Sequence, residues 1–153
     1  MTGLVPNIVT GLVSGGLSAW ITYKLAFRRF RAEKWWERRA DAYSRIVEAL
    51  HDSKNFADAH IDHMENGSEV PPEKDAALRK TAEEGRAVIL RAVDIGRLFL
   101  SSEALGRLKR FVKETENIKG EDWSDYIQKY YDLNNTCLDD LARLGREELG
   151  TTR

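Results

Sequence analysis

From Leu4 to Tyr23 no side chain carries a formal charge. Twenty residues at about 1.5 Å each cover the roughly 30 Å hydrocarbon core of a bilayer. Few other environments accept such a run, so this stretch constrains the fold more than any other. Pro6 falls in the first turn of the expected helix, where a missing N–H costs nothing. Trp20 and Tyr23 close the run, as amphipathic rings do at headgroup level. Basic residues follow at once: Lys24, Arg28, Arg29, Arg31, Lys34, Arg38 and Arg39, against only Glu33 and Glu37. No Lys or Arg precedes the run. The positive-inside rule therefore places the N-terminus outside and the remainder in the cytoplasm. A cleaved signal peptide would want a basic segment ahead of its apolar stretch, and none is present. A buried helix of a soluble protein is the other alternative, since Asn7, Thr10, Ser14, Ser18 and Thr22 interrupt the run. Length and the one-sided basic flank favour the membrane.

The interruptions share a face. Gly11, Ser14, Gly15, Ser18 and Thr22 recur at spacings of three and four, and Gly11 and Gly15 form a literal G-x-x-x-G. Small residues let helix backbones approach closely, and hydroxyls hydrogen-bond across the contact. The same pattern arises by chance in many membrane helices. It nonetheless makes this face the expected site of association between spans. The collar of Lys24, Arg28, Arg29, Arg31 and Lys34 is expected to meet anionic lipid headgroups. Charge is divided unevenly: residues 1–39 sum to +5 and residues 40–153 to −6. A nucleic-acid partner usually needs a basic surface beyond such a collar, so none is expected.

The remaining chain reads as all-α. From Leu25 to Met64 there is neither proline nor glycine. Trp36, Tyr43, Leu50, Ala57 and Met64 recur every seven residues, with Ala40, Val47 and Ile61 four beyond three of them. This is a heptad seam with Lys54 its one break, able to pack inside its own bundle or against a second copy. Counted back in sevens, the register reaches Thr22 and Gly15, so the membrane face and the cytoplasmic seam could be continuous. Asn66-Gly67 ends this helix, and Pro71-Pro72 starts the second. Ile95 to Leu100 reads as the buried end of that second helix. Ser101 or Ser102 caps the third, and the loop around Gly120 leads into the fourth. The expected architecture is an N-terminal transmembrane helix continuing into a long amphipathic helix, packed in a four-helix cytoplasmic bundle. Its parts are an anchor over residues 1–27, the bundle over 28–149 and a frayed end over 150–153.

Chemistry is sparse. Glu48 and His51 supply half of a di-iron Glu-x-x-His pair, but no other helix carries a histidine. His60 and His63 stand one turn apart without a third ligand, and exposure beside a loop is their ordinary reading. Arg45 and His51 fit the Arg-x(5)-His spacing that resembles small helical-bundle toxin nucleases, although Ile46 stands where a polar residue is usual. No Gly-rich phosphate loop or nucleophile triad is present. The single cysteine, Cys137, excludes an intrachain disulfide and reads as a small core residue. Core packing is also the ordinary expectation for Trp35 and Trp36, with a surface contact beside Phe27 and Phe30 as the alternative. No catalytic residue, metal site or cofactor is expected.

The segment Glu33-Lys-Trp-Trp-Glu-Arg-Arg-Ala-Asp-Ala-Tyr43, followed by Ile46-Val-Glu-Ala-Leu50, resembles uncharacterised bacterial single-pass membrane proteins. These carry a short span and a "WWERK-x-x-AY-x-x-I-x-EAL" helix. Asp94-Ile-Gly-Arg-Leu-Phe-Leu-Ser-Ser-Glu-Ala104 is similar to a second segment of the group. The resemblance implies a bacterial inner-membrane setting and no particular activity. The leading expectation is a non-enzymatic anchored bundle acting by self-association or by holding a protein partner at the membrane face. The alternatives are a membrane-perturbing effector assembled through its spans and, less favoured, a nuclease using Arg45 and His51.

Overall fold

The computed structural model describes the backbone of residues 4–150 and the side chains of residues 20 and 22–150. Four helices follow one another: α1 Leu4–Glu65, α2 Pro72–Ile95, α3 Ser102–Glu116 and α4 Trp123–Glu148. A single 3-10 turn, Gly96–Leu98, joins α2 to α3, and no strand occurs among the described residues. Contacts divide the chain between Glu37 and Arg38 into the units Met1–Glu37 and Arg38–Arg153.

The breaks fall where the local chemistry demands them. At the end of α1, Ser68 N–H donates to the His63 carbonyl (2.8 Å) and Gly67 N–H to that of Met64 (3.0 Å). This is the paired closure of a Schellman motif, and it needs a residue at positive φ. Gly67 supplies it at +64°. α2 starts on Pro72 with Glu73 and Asp75 in its first turn, complementing the helix dipole. Ser101 caps α3 by accepting from Ala104 N–H. Asp122 caps α4 by accepting from Asp125 N–H, while the Asp125 carboxylate accepts from Glu121 N–H.

The second unit is built around one core to which all four helices contribute. Leu50, Leu108, Cys137 and Leu141 are fully enclosed, with Tyr43, Ile46, Ile89 and Phe111 around them. A smaller cluster of Phe56, Ala57 and Ile127 lies under Leu78 and Tyr130. Two glycines set how closely helices approach. A Cβ on Gly85 would stand 2.8 Å from the Ala49 carbonyl oxygen, and one on Gly145 would stand 3.0 Å from the Tyr43 ring. Arg39 ties three segments together, donating to the Phe99 carbonyl (3.0 Å) and to Glu148 (3.5 Å).

The buried face of α1 differs from the expected seam. Tyr43, Leu50 and Ala57 are buried within the chain's own bundle, but Ala40 and Val47 are only half-buried. Trp36 is 49% exposed and lies in the first unit. The second buried series is Ile46 and Ser53, three residues after Tyr43 and Leu50 rather than four, with Ala49 and Phe56 beside it. Within the bundle α1 meets more than one neighbour, Gly85 of α2 at Ala49 and Gly145 of α4 at Tyr43. Such a face is broader than a two-helix seam and rotated from it. Ser53 hid it, because a hydroxyl does not read as core.

The run from Ile95 to Leu100 is also corrected. The α-helix ends at Ile95, and the chain folds over Gly96, whose carbonyl accepts from both Phe99 N–H and Leu100 N–H. Leu100 is buried, whereas Ile95 and Leu98 are exposed. A Cβ at Gly96 would stand 2.9 Å from the end of the Leu100 side chain, so a larger residue there would have to displace that side chain.

Candidate functional site

The most unusual surface of the molecule lies on α1 between Trp20 and Trp36. In a helix, residues three or four apart stand over one another. Here those neighbours alternate between rings and cations. Lys24 Nζ sits 4.3 Å over the Trp20 ring, the Arg31 guanidinium 4.6 Å over Phe27, and Lys34 Nζ 5.9 Å over Phe30. Tyr23 and Phe27 stack at 6.0 Å. The aromatic quadrupole attracts a cation placed over its face, at about 0.5–1 kcal/mol for an exposed pair. Lys34 also pairs with Glu37 at 2.7 Å.

These rings are not covered. Trp20, Tyr23, Leu25, Phe27, Phe30, Trp35 and Trp36 are each between 43% and 67% exposed. The expectation of core packing for Trp35 and Trp36 therefore gives way: both present about half their surface to the surroundings. Lys24, Arg28, Arg29, Arg31 and Lys34 are exposed among them. Single exposed apolar residues are ordinary, but seven within one stretch of helix make this a candidate interaction surface.

Of the small-residue face, Gly11, Ser14, Gly15 and Ser18 lie outside the residues whose side chains are described, and Thr22 is exposed. Among the described residues no helix is long and apolar enough to cross a membrane. Of the Leu4–Tyr23 run, only the side chains of Trp20, Thr22 and Tyr23 are among those described.

The other candidates resolve into structural roles. Arg45 and His51 are both exposed, and Arg45 pairs with Asp41 at 3.0 Å, so the two are not gathered in a cleft. His60 is not the exposed residue expected. Its Nε2 lies 2.9 Å from Asp75, and its ring meets Phe56 (4.7 Å) and Trp123 (5.6 Å) edge-on. Asp75 also accepts from Arg79 at 2.8 Å. Arg79, and after it His60, hold the Asp75 carboxyl below its usual range. His63 bonds instead to the Ser68 hydroxyl. The cluster joins α1, α2 and α4 around an open cavity of about 340 Å³. Among the described residues no three His, Cys, Asp or Glu side chains converge as a metal site. Cys137 is fully buried, and desolvation pushes its thiol up to about 12, which keeps it protonated and unreactive.

Sequence reasoning did not foresee the burial of Arg107, whose Nε donates to Asp140 at 2.7 Å and whose side chain is only 13% exposed. Nor did it foresee Asn134, fully enclosed and donating to the Tyr130 carbonyl. Their polarity pointed outward, and only the facing helix reveals their place. No family model matches the chain, and no curated protein or solved structure matches it.

Proposed function

We propose that this chain is a non-enzymatic, membrane-anchored helical bundle of the bacterial inner membrane. It works at the cytoplasmic face, by self-association or by holding a protein partner there. The observation that carries the reading is the collar. Seven large apolar side chains stand exposed on one stretch of α1, interleaved with Lys24, Arg28, Arg29, Arg31 and Lys34. Trp20 and Tyr23 close the uncharged Leu4–Tyr23 run, and the other five follow directly on it. In water such a surface is costly, at about 25 cal/mol per Å² of exposed apolar area. At a headgroup boundary the rings reach the apolar edge while the cations meet anionic phosphates. The small-residue face of Gly11, Ser14, Gly15 and Ser18 then provides the contact between spans.

The test is extraction and mass. In membranes from expressing cells, the full chain should resist alkaline carbonate and yield to detergent; release by carbonate would overturn the anchor. Light scattering of the detergent-solubilised protein should give a defined oligomer that Gly15→Leu dissociates. A monomer unaffected by that change would leave partner recruitment as the function. An oligomer whose expression collapses the membrane potential, and whose Gly15→Leu variant does not, would replace anchoring by membrane perturbation.

A further inference from the structure

Outside the collar, the exposed large apolar side chains among the described residues are few, and they are not scattered. Val88, Leu90, Ile95 and Leu98 all lie on α2 and the 3-10 turn that continues it; Trp123 alone lies elsewhere. Of these, Val88 and Ile95 fall with Ala92 at i, i+7 and i+4, the spacing of one helical face, and Phe99 follows beyond the end of α2. That face is one wall of an open groove of about 440 Å³, and Ala42 and Ile46 of α1 form the other. The small Ala42 and Ala92 let a third helix approach closely.

The rim of this groove is basic. Arg38, Arg45 and Arg91 line it, against the single acid Asp41. Asp41 is already engaged by Arg45 at 3.0 Å, leaving the Arg38 and Arg91 charges uncompensated in the lining. The surrounding sequence is acidic, with residues 40–153 summing to −6, so the groove is a local reversal of sign. We propose that this α1–α2 groove docks an acidic amphipathic helix of a partner protein. Its apolar stripe would lie between Ala42 and Val88–Ile95, and its carboxylates would pair with Arg38 and Arg91. This is helix-in-groove recognition, with apolar anchors at i, i+3/i+4 and i+7 supplying affinity and rim charges supplying selection.

A second copy of this chain is the poorer occupant. Groove against groove would set arginine against arginine. Beyond the collar, no other described surface of the bundle offers an apolar stripe to insert. The inference deepens the partner-recruitment reading and rests on it, but it does not depend on the span.

The test uses the full chain in nanodiscs of zwitterionic lipid, with empty discs as blank. The probes are two fluorescein-labelled 21-residue model helices with leucine at the a and d positions, one flanked by glutamate and one by lysine. Incorporation into the disc reads the anchor; anisotropy reads the groove separately. Saturable binding of the glutamate helix over the lysine helix is expected. The variant R38E/R91E should weaken it by about tenfold or more and reverse the preference. Ile95→Asp should weaken both helices. Both arginines and Ile95 are exposed, so these variants keep the core intact. Equal binding of the two helices, or a preference that survives the charge reversal, overturns the proposal. So does a groove that ignores both helices but takes up phosphatidylglycerol when the discs contain it.

Discussion

Residues 20–37 and residues 38–65 belong to the same helix, yet they treat their aromatic side chains in opposite ways. In the first stretch Trp20, Phe27, Phe30 and Trp36 face outward, with cations seated over three of the rings. In the second, Tyr43 and Phe56 turn inward and are sealed by α2 and α4. Helix propensity does not distinguish the two. What differs is whether neighbouring helices exist to exclude water. Where they do, glycines admit them, Gly85 against Ala49 and Gly145 against Tyr43. Where they do not, the rings stay exposed, and in the proposed function they belong to the membrane boundary. Whether an apolar residue on this helix is buried is set by its surroundings, not its identity.

The largest expected difference between the regions is in stability. Leu50→Ala should cost about 2–5 kcal/mol in denaturant unfolding of the bundle, because Leu50 is fully buried in a packed core. Phe30→Ala should leave unfolding nearly unchanged. Equal losses would mean that the collar is covered by protein rather than exposed. Next comes the collar charge. Replacing Arg28, Arg29 and Arg31 by glutamate should remove about 1 kcal/mol of attraction to anionic vesicles per cation lost. The wild-type attraction should weaken with salt, while thermal unfolding of the bundle stays put.

Close helix approach gives a third contrast. Gly85→Val should destabilise by about 1–3 kcal/mol, since its side chain meets the Ala49 backbone. Gly106→Ala, with open space around its Cβ, should stabilise by about 0.5–1 kcal/mol. The smallest effect is electrostatic. The Asp75 carboxyl is held low in the folded state by Arg79 and His60. Its stabilisation is therefore complete above the ordinary carboxylate value of about 3.9. It is lost as pH falls through the lower folded value. Asp75→Asn should flatten that acid limb in a pH series of unfolding midpoints and leave vesicle binding untouched. Labelling of Cys137 by iodoacetamide should be blocked in the folded chain and rapid in denaturant; rapid labelling of the native protein would contradict the sealed core.

Much of the bundle was legible because its punctuation is local. Asn66-Gly67, Pro71-Pro72 and Ser101 act through their own backbone dihedrals and hydrogen bonds. The helix boundaries they set need no knowledge of a partner helix. Rotational position was less legible. The heptad count found Tyr43 and Leu50 but chose Ala40 and Val47 over Ile46 and Ser53. The count assumes one facing neighbour, and α1 has more. The His60–Asp75–Trp123 cluster could not be read at all, since it joins three helices whose sequence separations exceed any local pattern.

The sequence by itself determined four helices, most of the places where they start and stop, and the clustering of cations and rings around and beyond Tyr23; the end of α2 at Ile95 it did not. Spacing and turn chemistry act within a few residues, so they survive without a fold. Only tertiary structure decided which side of α1 is buried. It also decided that Ser53 and Asn134 go inside, that Arg107 is half-buried against Asp140, that Trp36 stays out, and that Arg38, Arg45 and Arg91 share the rim of one groove. Burial is a property of the space between elements, and that space exists only once the elements have met.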